Sequence, residues 1–124
     1  PPGGSVLDMC AAPGGKSLII FGNHEGKINL ICNEPSAARR ERLIQVLRQY
    51  LPRQVRDSIQ VMGKAGVRYG LTSPAVFDAV LVDAPCSGER HILESAKELA
   101  RWSKSRTERL AGEQYGLLCS ALLA

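Results

Sequence analysis

Apolar residues in this chain recur in two different patterns. Short, nearly unbroken apolar runs occur at Ser5–Cys10 (S-V-L-D-M-C), at Lys27–Asn33 (K-I-N-L-I-C-N), at Asp57–Met62 and at Phe77–Val82 (F-D-A-V-L-V). Runs of this length, with β-branched residues and turn formers at their ends, predict buried strands. Between the first two, Leu18 to Phe21 follow Gly14-Gly15-Lys16 and predict a helix from about Gly15 to Gly22, ended by Asn23-His24-Glu25-Gly26. Between the second and third, Leu43, Val46, Leu47 and Tyr50 recur at three- and four-residue spacing. That spacing predicts a helix opened by Pro35 and Ser36 and closed by Pro52. Lys64 to Pro74, rich in Gly, Ser, Thr and Pro, reads as a loop, and Glu89 to Arg106 as a charged segment with a local apolar spot at His91-Ile92-Leu93. A last helix is expected over Thr107–Ala124, with Leu110, Tyr115, Leu118, Ala121 and Leu122 sharing a face and Gly112 and Gly116 as weak points.

Strand, helix, strand, helix, strand, strand, helix predicts an α/β fold. Unbroken apolar strands need cover on both faces, which a parallel sheet between helices supplies. Right-handed crossovers make this half of a doubly wound sheet, with expected strand order 3-2-1-4. Ligands of such sheets bind beyond the carboxyl ends of the strands, where the order reverses, here between strands 1 and 4. Two polar-ended stretches, A-A-P-G-G-K after strand 1 and D-A-P-C-S-G after strand 4, fall at that point.

Length and composition narrow the class. A chain of 124 residues with 44% hydrophobic content is at most one domain and can build a core. It has no apolar run long enough to span a bilayer, and P-P-G-G does not resemble a secretion signal, so no membrane association and an intracellular setting are expected. Cys10, Cys32, Cys86 and Cys119 lack the paired short spacing of zinc sites, so no metal is expected and free thiols are the default. Sixteen Lys and Arg against twelve Asp and Glu give a formal charge of +4. The excess gathers at Arg39, Arg40, Arg42, Arg48, Arg53 and Arg56, which suits a polyanion and equally suits a solvated helix face.

The first polar turn, V-L-D-M-C-A-A-P-G-G-K-S, places glycines and a helix start after a strand, an arrangement suited to a nucleotide-like ligand. Gly15-Lys16-Ser17 match the end of a P-loop, but its first glycine would fall at Cys10. The dinucleotide pattern G-x-G-x-x-G is also absent. A ligand carrying a ribose but no phosphate remains, with Glu34 at the end of strand 2 placed to accept from ribose hydroxyls. S-adenosyl-L-methionine fits that description.

C-A-A-P-G-G-K after strand 1, E-P-S-A-A-R-R-E-R-L after strand 2 and F-D-A-V-L-V-D-A-P-C-S-G at strand 4 together resemble the NSUN (Nol/Nop/Sun, RsmB-type) family of RNA cytosine-5 methyltransferases. The resemblance runs along nearly the whole chain, and E-R-H at 89–91 is similar to the subgroup that includes mitochondrial members. It implies a Rossmann-like fold, of which residues 1–124 are an N-terminal portion with an incomplete sheet. It further implies S-adenosylmethionine as donor, rRNA or tRNA as substrate, and in some settings a protein partner that presents it.

In that chemistry a cysteine thiolate adds to C6 of cytosine and enriches C5 for attack on the sulfonium methyl. By position, Asp83 resembles the acid that contacts the base, Cys86 the second cysteine that assists release, and Lys16 the motif lysine near the target. Cys10, Ala11, Ala12, Pro13, Gly14, Gly15 and Lys16 would surround the cofactor together with Glu34, Arg39 and Asp83. Two departures stand out. The family's principal nucleophile lies in a Thr-Cys motif that is not among these residues, so the 124-residue chain alone is expected not to complete methyl transfer. The acid after strand 3 that contacts adenine is replaced by Ala65.

Other readings stand beside this one. A degenerate module that binds cofactor, RNA or a partner would keep the first turn without catalysis. An amine methyltransferase would want N-P-P-Y or D-P-P-Y where this chain has D-A-P-C, and the cysteine has no part in that chemistry. Cys32 and Cys119 read as core thiols, and Trp102 and Tyr115 as packing residues.

Overall fold

The computed structural model describes residues 3–86, 97, 100 and 103–124. Four strands, β1 (Ser5–Asp8), β2 (Asn29–Asn33), β3 (Ile59–Met62) and β4 (Ala79–Leu81), form one parallel sheet in the order β3-β2-β1-β4. This is the Rossmann-like α/β arrangement expected from the order of apolar runs. The strands are shorter than those runs: Met9 and Cys10 follow β1 in the turn, and Phe77, Asp78 and Val82 flank β4. Asp57 and Ser58 end a 3-10 turn, Arg53–Ser58, instead of starting β3.

Helices α1 (Gly15–Asn23) and α2 (Ala37–Tyr50) cover one face. Side chains alternate along the strands, so Val6, Leu30 and Cys32 point into this layer and meet Phe21, Leu43 and Leu47. Leu30 and Leu43 are fully buried, each worth roughly 1.5–3 kcal/mol of transfer free energy. The Ser36 hydroxyl caps α2 by accepting from the Arg39 amide, as the Pro-Ser opening implied.

The other face carries Leu7 and Met9 against Tyr69, Leu117 and Ala124. The stretch expected to be a loop, Lys64 to Pro74, here folds into a 3-10 turn at Gly66–Arg68 and a single helical turn, α3 (Tyr69–Thr72). Its glycines serve packing. A Cβ on Gly66 would come within 2.5 Å of the Leu117 side chain, and one on Gly70 within 2.9 Å of the Ser120 carbonyl. The last helix, α4 (Lys104–Leu123), starts three residues before the expected Thr107 because Ser103 caps it.

The buried face of α4 also differs from the expected one. Leu110, Leu117 and Ser120 are buried, whereas Tyr115, Leu118 and Leu122 are exposed. The close approach to Gly66 and Gly70 selects a face with a small polar residue: the Ser120 hydroxyl donates to the Gly66 carbonyl and accepts from the Gly70 amide. The apolar spot at 91–93, the E-R-H stretch, Ser87, Gly88 and Trp102 lie outside the described residues.

Candidate active site

The first turn is built from three directions. Beyond β1, the Met9 amide donates to the Leu81 carbonyl of β4 and the Ala11 amide to the Asn33 carbonyl of β2, which carry the chain across the strand ends. The Ala12–Pro13 peptide is cis. Gly14 has φ +115, and a Cβ there would lie 3.0 Å from Leu43 Cδ1 and 3.2 Å from Val46 Cγ1. Gly14 is therefore required by the backbone and by α2 behind it. At Gly15 a Cβ would meet nothing within 4 Å, so the protein leaves open space at the helix start.

Asn33 ties this turn to the loop after β3. Its amide donates to the carbonyls of Met9 and Lys64, and its oxygen accepts from the Lys64 amide and the Tyr69 hydroxyl. A buried side chain with four partners is costly to replace. Sequence reasoning passed over it; the available signal was a short amide at a strand's carboxyl end beside an acid.

Glu34 is nearly fully buried. One carboxylate oxygen accepts from the Ser36 amide at 2.9 Å and the other lies 3.3 Å from Arg39 Nη1. Arg39 also donates to the Ala12 carbonyl, so one guanidinium joins the first turn to the acid. Arg40, one of the basic residues gathered between β2 and β3, donates to the Glu34 and Pro35 carbonyls and fixes the backbone at the same place.

At the base of the turn, Asp8 is buried. One of its oxygens accepts from the Ser17 hydroxyl at 2.6 Å, and the other has no side-chain or backbone partner among the described residues. Burial raises its pKa above the ordinary carboxylate value, against the Ser17 hydrogen bond. Cys10 sits beside it, and burial with the charges of Asp8 and Glu34 pushes its thiol up to about 11. A thiol so raised stays protonated at neutral pH and is no nucleophile.

Across the strand ends, the Lys16 ammonium donates to Asp83 at 2.6 Å. The contact joins the first turn to the turn after β4. The Asp83 carboxylate beside it raises the Lys16 pKa, and both groups are half exposed. Cys86 is exposed, three residues on. The Pro85 carbonyl accepts from the Gln114 side chain of α4 at 2.7 Å, an anchor not foreseen from the chain.

These elements surround a cavity of about 420 Å³. Its walls include Met9 and Cys10 after β1, Glu34 to Ser36 and Arg39 after β2, Ala65 to Val67 after β3, Pro85 after β4, and Glu113 and Leu117 of α4. Of the residues expected around a cofactor, Cys10, Glu34 and Arg39 line it directly. Lys16, Asp83 and Cys86 stand at the β1–β4 side. Among the described residues no group of three or more His, Cys, Asp or Glu is placed to hold a metal, and no helix is long and apolar enough to cross a membrane.

Comparison with known proteins agrees with this architecture. Residues 2–123 match the family model described as 16S rRNA methyltransferase RsmB/F. The chain is 42% identical over 124 residues to the mitochondrial tRNA (cytosine(34)-C(5))-methyltransferase of Danio rerio, covering 98% of this chain and 33% of that protein. It is 39% identical to the 5-cytosine rRNA methyltransferase NSUN4 of Bos taurus, over 99% of this chain and 33% of the relative. To the ribosomal RNA small subunit methyltransferase F of Erwinia tasmaniensis it is also 39% identical, over 96% and 24% respectively. The chain thus spans about a quarter to a third of these relatives. The same fold is found in the crystal structure of PH0851 (TM-score 0.84, 24% identity, 98% of this chain and 27% of that one) and in that of NSun6 from Pyrococcus horikoshii with SFG (0.76, 22%, 96% and 29%).

Proposed function

We propose, from the premise that this chain belongs to the RsmB/F family of methyltransferases, that it forms the donor-binding portion of an RNA cytosine-5 methyltransferase catalytic domain. The observation that carries the reading is the cavity at the strand ends, walled by the first turn, Glu34 and the turn after β4. Its residues fit S-adenosylmethionine. Glu34 has lone pairs beyond those used by Ser36 and Arg39, enough to accept from ribose hydroxyls. Met9, Val67 and Leu117 supply apolar walls for a base. The space above Gly15 lets the first amides of α1 approach a ligand.

When bound, S-adenosylmethionine would supply an electrophilic methyl on its sulfonium. Arg39 holds Glu34 in place by gripping Ala12 at the same time, so the ribose end is set before the ligand arrives. Lys16 orients Asp83, which in this reading hydrogen-bonds to the cytosine edge, stabilises the thiol adduct and so fixes the base over the strand ends. Cys86, exposed beside it, is assigned the removal of the product from its covalent link to the enzyme. The RNA substrates of the relatives support RNA as substrate here, and the zebrafish and mouse mitochondrial tRNA methyltransferases support a mitochondrial setting. A protein that presents the RNA belongs to the same proposal.

Calorimetric titration of the 124-residue chain with S-adenosylhomocysteine tests it. Saturable one-to-one binding, weakened by Glu34→Ala and kept by Cys86→Ser, is the expected outcome. A folded sample that binds nothing would remove the reading in favour of a degenerate module.

A further inference from the structure

The cavity has two carboxylates, and the reading above uses only one of them. Glu34 enters from the β2 end, with Ser36 and Arg39 around it. Glu113 enters from α4, where sequence reasoning placed no functional residue. Its position follows from packing. Leu117, one helical turn later on the same face, is pressed against Gly66, and Ser120 is hydrogen-bonded to it. The face that carries Leu117 onto the loop after β3 therefore carries Glu113 to the rim of the cavity beside that loop.

The opposing wall there, Ala65 to Val67, offers no polar side chain. Among the described residues the Glu113 carboxylate has one polar contact, Arg109 Nη1 at 3.8 Å within the same helix, which is too long to be a hydrogen bond. A ligand whose ribose sits on Glu34 and whose sulfonium end points toward Lys16 and Asp83 must send its base the other way, into the part of the cavity between α4 and the β3 loop. Adenine presents its exocyclic amine there as a donor, and a purine without that amine does not.

We propose that Glu113 accepts a hydrogen bond from the 6-amino group of the adenine and is the residue that selects this base, supplying from α4 the carboxylate that Ala65 does not supply from the β3 loop. The assignment rests on the donor-binding reading above. A hydrogen bond to a charged acceptor is worth about tenfold or more in affinity.

Binding of S-adenosylhomocysteine and of its analogue lacking the 6-amino group separates the two ideas. The wild-type chain is expected to prefer the adenine compound by about tenfold or more. Glu113→Leu should erase that preference by weakening only the adenine compound, whereas Glu34→Ala should weaken both alike. The double change Ala65→Asp with Glu113→Leu should restore the preference from the facing wall. Wild-type binding of S-adenosylhomocysteine with a preference that survives Glu113→Leu would overturn this assignment and leave the donor site standing. No binding of either compound by a folded sample would overturn both.

Discussion

The turn after β1 and the turn after β4 meet at Lys16 and Asp83, yet they are held in opposite ways. The first is pinned by backbone hydrogen bonds to both neighbouring strands, by Arg39, by Asn33 and by the Leu43–Val46 surface under Gly14. The second, over residues 82–86, is half exposed, and among the described residues its side-chain ties are Gln114 on Pro85 and Lys16 on Asp83. In the proposed reading the first turn binds the donor, and a preformed site loses little entropy when its ligand arrives. In the same reading, an end open to water leaves Asp83 and Cys86 reachable by a large substrate, and dry only once that substrate covers them.

The contrast is sharpest in stability. Leu43→Ala removes the fully buried side chain beneath Gly14 and is expected to cost about 2–5 kcal/mol, read as a drop in the urea midpoint with unchanged slope. A cost near zero would mean that the first turn does not rest on α2.

A smaller effect tests the buried acid. Because the folded-state pKa of Asp8 is raised above 3.8, its contribution is fully present below that pH and is lost as pH rises through the raised value. Wild-type stability should therefore fall over that window, and Asp8→Asn should flatten it by on the order of 1 kcal/mol per unit of pKa shift. A pH profile identical in the two proteins would show that Asp8 is not desolvated.

The least effect is expected at the contact that joins the two turns. Lys16→Met breaks a contact between two half-exposed groups, and the thermal midpoint should stay where it is. A clear loss of stability would erase the distinction between a built end and an open one.

Much of this was legible in the chain. Apolar runs of strand length alternating with helical spacing determine a parallel α/β sheet, because only a sheet covered on both faces hides them. The turn chemistry at Gly14 to Lys16 and the acid at Glu34 mark its ligand end, since both sit where strands stop. Other features are decided only when distant segments pack. Tyr115 and Leu122 were expected inside and Ser120 was not, because helical spacing alone permits several faces, and the glycines of the β3 loop choose among them. Asn33, Arg40 and Gln114 act through backbone carbonyls up to some thirty residues away, which no local pattern encodes. Glu113 reaches the cavity for the same reason: Leu117 seats α4 against Gly66, and that seat, not the sequence around position 113, sets where its carboxylate stands.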